Sequence, residues 1–174
     1  MDTATEELQV VFNQLENNTL VFKNLLKDVS QHDYLWRPES IKWCLLEIVC
    51  HLLDEELNDF RARVKHALET PQKPLVPIAP EVWVKERHYM SKDYNEILKT
   101  FLIERGSSIQ WLKQQVNMDW SNVVLHPELG NLSAELFLRN WLAHDFLHIR
   151  QILQYKFQLL KQSSKIDLEY AGNW

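Results

Sequence analysis

Glycine is scarce in this chain, three in 174 residues, and proline contributes only six. With 45% hydrophobic and 25% charged residues around them, so few chain-reversing positions point to a mostly helical globular protein. Cysteine is scarcer still: Cys44 and Cys50 have no CxxC spacing and are too few for a disulfide scaffold, which fits a reducing compartment. Basic runs are missing. A net charge of -5 and a pI near 5.8 exclude the positive stripe that a nucleic-acid binder presents to phosphates. No apolar run reaches the length of a membrane span, and the opening Met1-Asp2-Thr3-Ala4-Thr5-Glu6-Glu7 is acidic where a signal peptide is basic and then apolar. The expectation is a single cytoplasmic domain over residues 1–174, with no nucleic-acid or membrane partner. A Gly-rich phosphate loop, a GxSxG elbow, an HExxH pair, an internal repeat and the paired Glu-x-x-His of a di-iron bundle are also missing.

What is present centres on Asn140 to Ile152. At 3.6 residues per turn His144 and His148 stack on one helix face, together with Phe137, Trp141, Tyr155 and Leu159. That is the face an amphipathic helix turns inward, so two imidazoles point into a core. Buried rings must satisfy their nitrogens, and two of them one turn apart cannot both be protonated cheaply. A shared divalent metal resolves this; two core histidines bonded to carbonyls resolve it equally well on spacing alone.

The rest of the chain reads as a frame. From Thr5 to Asp28, Leu8, Phe12, Leu15, Thr19, Phe22 and Leu26 form the heptad-like seam of a first bundle helix. Gln31 to Ser40 is a connection in which Trp36-Arg37-Pro38 opposes helix, with Trp36 read as a packing residue. A second helix begins between Ser40 and Cys44 and ends near Glu69. Its main stripe is Leu45, Ile48, Val49, Leu52, Phe60 and Val64, and His51 flanks this stripe as a third candidate ligand. Asp54, Glu55 and Glu56 follow; by default such carboxylates are solvated, but Glu55, one turn from His51, or Asp54 suits a partner that orients a ligand imidazole, or a general base for a metal-bound water. Thr70 to Glu81 holds four prolines and reads as an extended crossover. Trp83 and Tyr89 either line a cleft or anchor the loop. A third helix starts at Ser91 and is interrupted at Gly106-Ser107-Ser108, small residues that suggest close helix approach. Asn117 to Leu132 is a connection with a turn at His126-Pro127-Glu128-Leu129-Gly130-Asn131. Ser133 caps a fourth helix reaching Gln162, and the aromatic tail Asp167 to Trp174 is expected to fold back on the bundle.

Taken together, Trp36-Arg37-Pro38, the run Lys42 to Glu56, Gly130-Asn131-Leu132-Ser133, the run His144 to Ile152 and the Tyr-Ala-Gly-x-Trp ending resemble the DinB-like (DinB/YfiT) superfamily of metal-dependent enzymes. The likeness extends from Val11 to Trp174. It implies an all-α four-helix bundle with up-up-down-down connectivity, frequent homodimers, and a nickel or zinc ion held by His51, His144 and His148. Cys44 departs from the Ser or Thr usual at that cap.

Three neutral imidazoles leave open coordination positions, unlike a closed structural site. The first reading is therefore an enzyme that transfers a low-molecular-weight thiol to a small electrophile, or hydrolyses a small molecule with metal-bound water, with Glu55, Asp54 and His126 as candidate acid-base groups. The alternative is a non-catalytic bundle that binds a metal or small ligand.

Overall fold

The computed structural model describes residues 3–172. Its long elements are α1 (Thr3–Leu26), α3 (Leu45–Glu55) continued by α4 (Arg61–Glu69), α6 (Tyr94–Gln114) and α7 (Ala134–Ser163). Short helices α2 (Gln31–Leu35) and α5 (Pro80–Glu86) lie in the connections, and a hairpin of β1 (Val123–His126) and β2 (Gly130–Ser133) precedes α7. Among the described residues no helix is long and apolar enough to cross a membrane.

Packing between elements is dominated by α1 with α6 and α7, α3 with α6, and α4 with α7. The first and second bundle helices therefore sit diagonally, as do the third and fourth. The core divides into two apolar clusters, and each helix passes from one to the other. Leu8 to Leu15 of α1 share a cluster with Val64 and Leu68, Ile109 and Leu112, and Phe137 and Trp141. Phe22 and Leu26 share the second with Leu45 to Leu53, Tyr94 and Phe101, and Ile152 and Tyr155.

This membership fixes the directions. The first and fourth helices run one way and the second and third the other, so the order is up-down-down-up. The expected up-up-down-down order is corrected. Cross-helix bonds agree: Tyr94 near the start of α6 donates to the Leu26 carbonyl at the end of α1 (2.8 Å), and Arg139 early in α7 reaches Glu7 early in α1 (3.1 Å). Because the second and third helices are parallel, the chain between them has to travel back along the bundle, which is what the proline-rich segment does.

That segment is not wholly extended. Pro80 stands at the start of α5, where a helix needs no N–H from it. Tyr89 then anchors the crossover by donating to Asp54 (2.5 Å), which also pairs with Arg87 (2.5 Å). Upstream, the Arg37 of Trp36-Arg37-Pro38 pairs with Glu47 (2.6 Å), and the Glu47 carboxylate accepts the Cys44 N–H at the start of α3 (2.9 Å). Glu47 thus makes the half of a capping box that reaches back to the cap N–H; a Ser or Thr at position 44 would make the other half, by accepting the Glu47 N–H.

Four further expectations change. The N-cap of α6 is Asp93, whose side chain accepts the Glu96 N–H, rather than Ser91. The connection before α7 contains a hairpin, not only a turn. The tail stands clear of the bundle, with Ile166 78% and Tyr170 103% exposed; Asn173 and Trp174 lie outside the described residues. And α6 runs unbroken through Gly106, where an added Cβ meets nothing within 4 Å, whereas Ser108 is buried and accepts from Arg61 of α4 (3.2 Å). Gly106→Ala is accordingly expected to stabilise the fold by about 0.5–1 kcal/mol, read from the denaturation midpoint at unchanged m-value.

The largest departure is a single π-helical turn, Glu56–Phe60, between α3 and α4. Leu52, Glu56, Phe60, Val64 and Leu68 follow one another at steps of four, which in a regular helix drift about 40° each. The wider turn takes up that drift and keeps the residues facing inward.

Candidate metal centre

Between the two apolar clusters lies a polar layer. In it His51 of α3 meets His144 and His148 of α7, one ring nitrogen from each lying within 4.8 Å of the others. The Nε2 atoms of His144 and His148 are 3.0 Å apart, and those of His51 and His144 are 3.4 Å apart. His51 and His148 are buried and His144 is half-buried. Trp43 meets the His51 ring edge-on at 4.9 Å between centroids, and Phe60 of the π turn lies 4.9 Å from His144.

The protonation pattern follows from the partners. Nδ1 of His148 faces Oε1 of Gln151 at 2.7 Å; with the amide oxygen toward the ring, Nδ1 carries the proton and Nε2 presents a lone pair to the cluster. Burial pushes His51 down to about 3, the His148 ring adding to the effect, and pushes His144 down to about 2 with help from His148, His51 and Arg105. His148 is also lowered by burial, while Gln151 and Asp145 act the other way. All three rings are neutral at pH 7.

Neutral rings so placed cannot satisfy one another. Nε2 of His144 faces two other Nε2 atoms and has one proton at most to give, and His148 Nε2 has none. His51 Nδ1, buried, has no hydrogen-bond partner. Two nitrogens each about 2.0–2.1 Å from a shared divalent ion stand roughly 3.0–3.4 Å apart at octahedral to tetrahedral angles. The observed separations match, so the donor set suits such an ion.

Glu55 lies behind His51, its Oε1 3.8 Å from Nδ1 and so beyond direct hydrogen-bond reach. Burial, reinforced by Asp59, raises its carboxyl to about 8. The other two acid-base candidates are engaged elsewhere. Asp54 holds the crossover through Tyr89 and Arg87, and His126 closes the hairpin turn, its Nδ1 accepting the N–H groups of Glu128 and Leu129.

Sequence reasoning passed over a second set of buried groups. Arg105 of α6 forms a bidentate pair with Asp145 of α7 (2.7 and 2.9 Å) and donates through Nε to Glu56 (2.7 Å). Glu56 also accepts the Trp141 indole N–H (3.2 Å), and Asp145 accepts from Asn18 of α1 (3.1 Å). Asn18, Glu56, Arg105 and Asp145 are all buried, so the expectation that Glu55 and Glu56 are solvated is also corrected. Burial works against the Arg105 charge, but Asp145 and Glu56 outweigh it and keep the guanidinium protonated. The signal was available: Glu56 stands four residues after Leu52, Arg105 four after Phe101 and Asp145 four after Trp141, each on an apolar stripe.

Beside the imidazoles, a cleft of about 370 Å³ opens between the α2–α3 connection and the second half of α7. Trp43 and Gln151 line it and also touch the cluster, while Glu39, Lys42, Gln154 and Gln158 give it polar walls.

A helical bundle with three inward imidazoles converging from two helices is an architecture that could hold a metal ion. The chain belongs to the DinB superfamily, whose family model matches residues 14–152. Its fold is similar to that of YfiT from Bacillus subtilis, at 17% sequence identity and a TM-score of 0.76, covering 91% of this chain and 90% of that one; YfiT is described as a probable metal-dependent hydrolase with an unusual four-helix bundle topology. No curated protein matches the sequence.

Proposed function

We propose that this protein is a metal-dependent hydrolase of small polar molecules, with His51, His144 and His148 as ligands of one divalent ion of the nickel or zinc type. The observation that carries the reading is the approach of three neutral imidazoles that cannot satisfy each other, with His144 Nε2 lying 3.0 and 3.4 Å from the Nε2 atoms of His148 and His51, separations that suit a common ion. Similarity to YfiT supports the hydrolytic class. When bound, such an ion lowers the pKa of a coordinated water toward neutrality and polarises the bond to be cleaved.

The chain's own residues have separate tasks. Gln151 fixes the tautomer of His148 so that its lone pair faces the centre. Glu55 stands on the Nδ1 side of His51, away from the cluster and 3.8 Å from that nitrogen, so a role as general base at the reacting water does not suit its position. Trp43 and Phe60 cover the rings and limit water, which strengthens every electrostatic interaction inside. The cleft beside Trp43 and Gln151 admits the substrate, and its amide and charged walls suit a polar molecule. A low-molecular-weight thiol would suit the same open coordination positions, so transfer of such a thiol is tested alongside hydrolysis.

Metal analysis of the purified protein is expected to find close to one nickel or zinc ion per chain, and His144→Ala to lose it, with affinity reduced more than about 100-fold. Esters, amides and thiol-reactive electrophiles, assayed with and without added thiol, then separate the reactions. Stoichiometric metal with no metal-dependent turnover over that panel would leave a metal-binding bundle, and no His144-dependent metal at all would end the proposal.

A further inference from the structure

The Arg105 cluster draws one residue from each bundle helix: Asn18 from α1, Glu56 from the π turn of the second, Arg105 from α6, Asp145 from α7. Two of these helices carry the imidazoles, and Arg105 comes from one that carries none. Asp145 follows His144 directly and precedes His148 by three, so its side chain points about 60–100° round the helix from theirs. Glu56 is five residues from His51, at the turn where the second helix widens.

We infer that Arg105 is a positioning residue for the histidine cluster, a fork that sets the rotation of α7 and its distance from the second helix so that the imidazoles meet. The inference rests on the metal-centre reading above. A bidentate guanidinium–carboxylate pair has two parallel bonds and tolerates little rotation, whereas apolar ridges slide with small penalties. A ring nitrogen lies about 6 Å off its helix axis, so a rotation of about 10° carries it roughly 1 Å sideways, a third of the separation between the Nε2 atoms. On its other side Arg105 holds Glu56, and Glu56 holds the Trp141 indole one turn before Asp145. The second helix and α7 are thus tied together twice, just below the ligands. The pairing also explains why charge is kept at three positions where apolar side chains would fill the core.

The test compares wild type with the uncharged variant Arg105→Met/Glu56→Gln/Asp145→Asn, in which Gln and Asn still accept from Trp141 and Asn18. Cobalt(II) serves as the probe, with its visible absorption reporting ligand geometry. The variant is expected to keep the far-UV circular dichroism of a helical bundle, bind cobalt at least about tenfold more weakly and show a changed spectrum. Arg105→Lys, which keeps the charge but not the fork, should fall on the variant's side, and serves alone if the triple variant fails to fold. In parallel, long-range ¹⁵N–¹H correlation of the metal-free proteins reads the ring tautomers: the single Nδ1–H form of His148 in wild type should become a mixture. A variant that is folded, binds cobalt as wild type does and keeps its ring tautomer overturns the inference. If wild type takes up no cobalt the metal proposal fails, and the tautomer comparison alone then decides whether Arg105 places the rings.

Discussion

Arg105→Met is expected to cost about 3–5 kcal/mol of folding stability, because it strands two buried carboxylates without their counter-charge. Glu56 and Asp145 have essentially no exposed surface, and no cation beside Arg105 reaches either within salt-bridge distance among the described residues. Each must then take up a proton or draw in water, and Asp145 loses both bonds of the fork. Urea denaturation at pH 7 measures the loss, and the uncharged triple variant, which buries no net charge, should recover most of it. A single variant as stable as wild type would mean that Arg105 does not balance buried charge in the native state. The same measurement at pH 5 adds a sign: the single variant should lose less there, since burial raises the Glu56 carboxyl and it takes up a proton more readily.

The second large effect is a response to acid in the metal-free protein. His51 and His144 stay neutral in the native state down to about pH 3 and 2, whereas in the unfolded chain they titrate near 6.5. Above pH 6.5 both states are neutral and the rings add no slope. Below it the unfolded state binds protons that the native state refuses, so stability falls by about 1.4 kcal/mol per pH unit for each ring, reaching up to about 4 kcal/mol for the pair at pH 5. Glu55 acts in the opposite sense. Its native carboxyl titrates near 8 and its unfolded one near 4.5, so its contribution is fully present below 4.5 and is lost as pH rises through 8. Glu55→Gln removes that opposing slope, and the histidine effect should then appear undiminished in guanidinium titrations between pH 7 and 5. A flat profile in Glu55→Gln would mean that the rings are not held neutral. Metal should suppress the acid loss until protons compete for the ligands.

Much of the fold was legible because helical stripes are long and turn residues few. Ser133 as the start of α7, the seam of α1 and the placement of the three histidines could all be read from spacing and ordered motifs. What escaped depends on contacts between helices. Helix direction is invisible in a stripe, since an apolar face reads the same either way up; the order comes from which end of each helix enters which core cluster, and the bonds from Tyr94 to Leu26 and from Arg139 to Glu7 agree with it. The π turn was hidden for a related reason. A step of four residues is compatible with a regular helix over one turn, and only its repetition from Leu52 to Leu68 demands an added residue. Glu56 reads by default as solvated, and Arg105 and Asp145 draw no notice one at a time. Seen as three interruptions of three stripes, two acidic and one basic, they amount to a buried network, which a scan for charged residues at core positions would have found. The tail misled in the other direction, because aromatic content says that a segment can be buried, not that the bundle has a surface to receive it.

The crossover between the second and third bundle helices spans residues 70–93. It divides the chain into an N-terminal half with His51 and a C-terminal half with His144 and His148, and within each half the two long helices lie diagonally and find their main neighbours in the other. Cutting the chain there leaves two pieces that need each other to bury their apolar faces, so fragment complementation and assembly of the three-imidazole cluster become one event, and the ligand set doubles as a reporter that the halves have met.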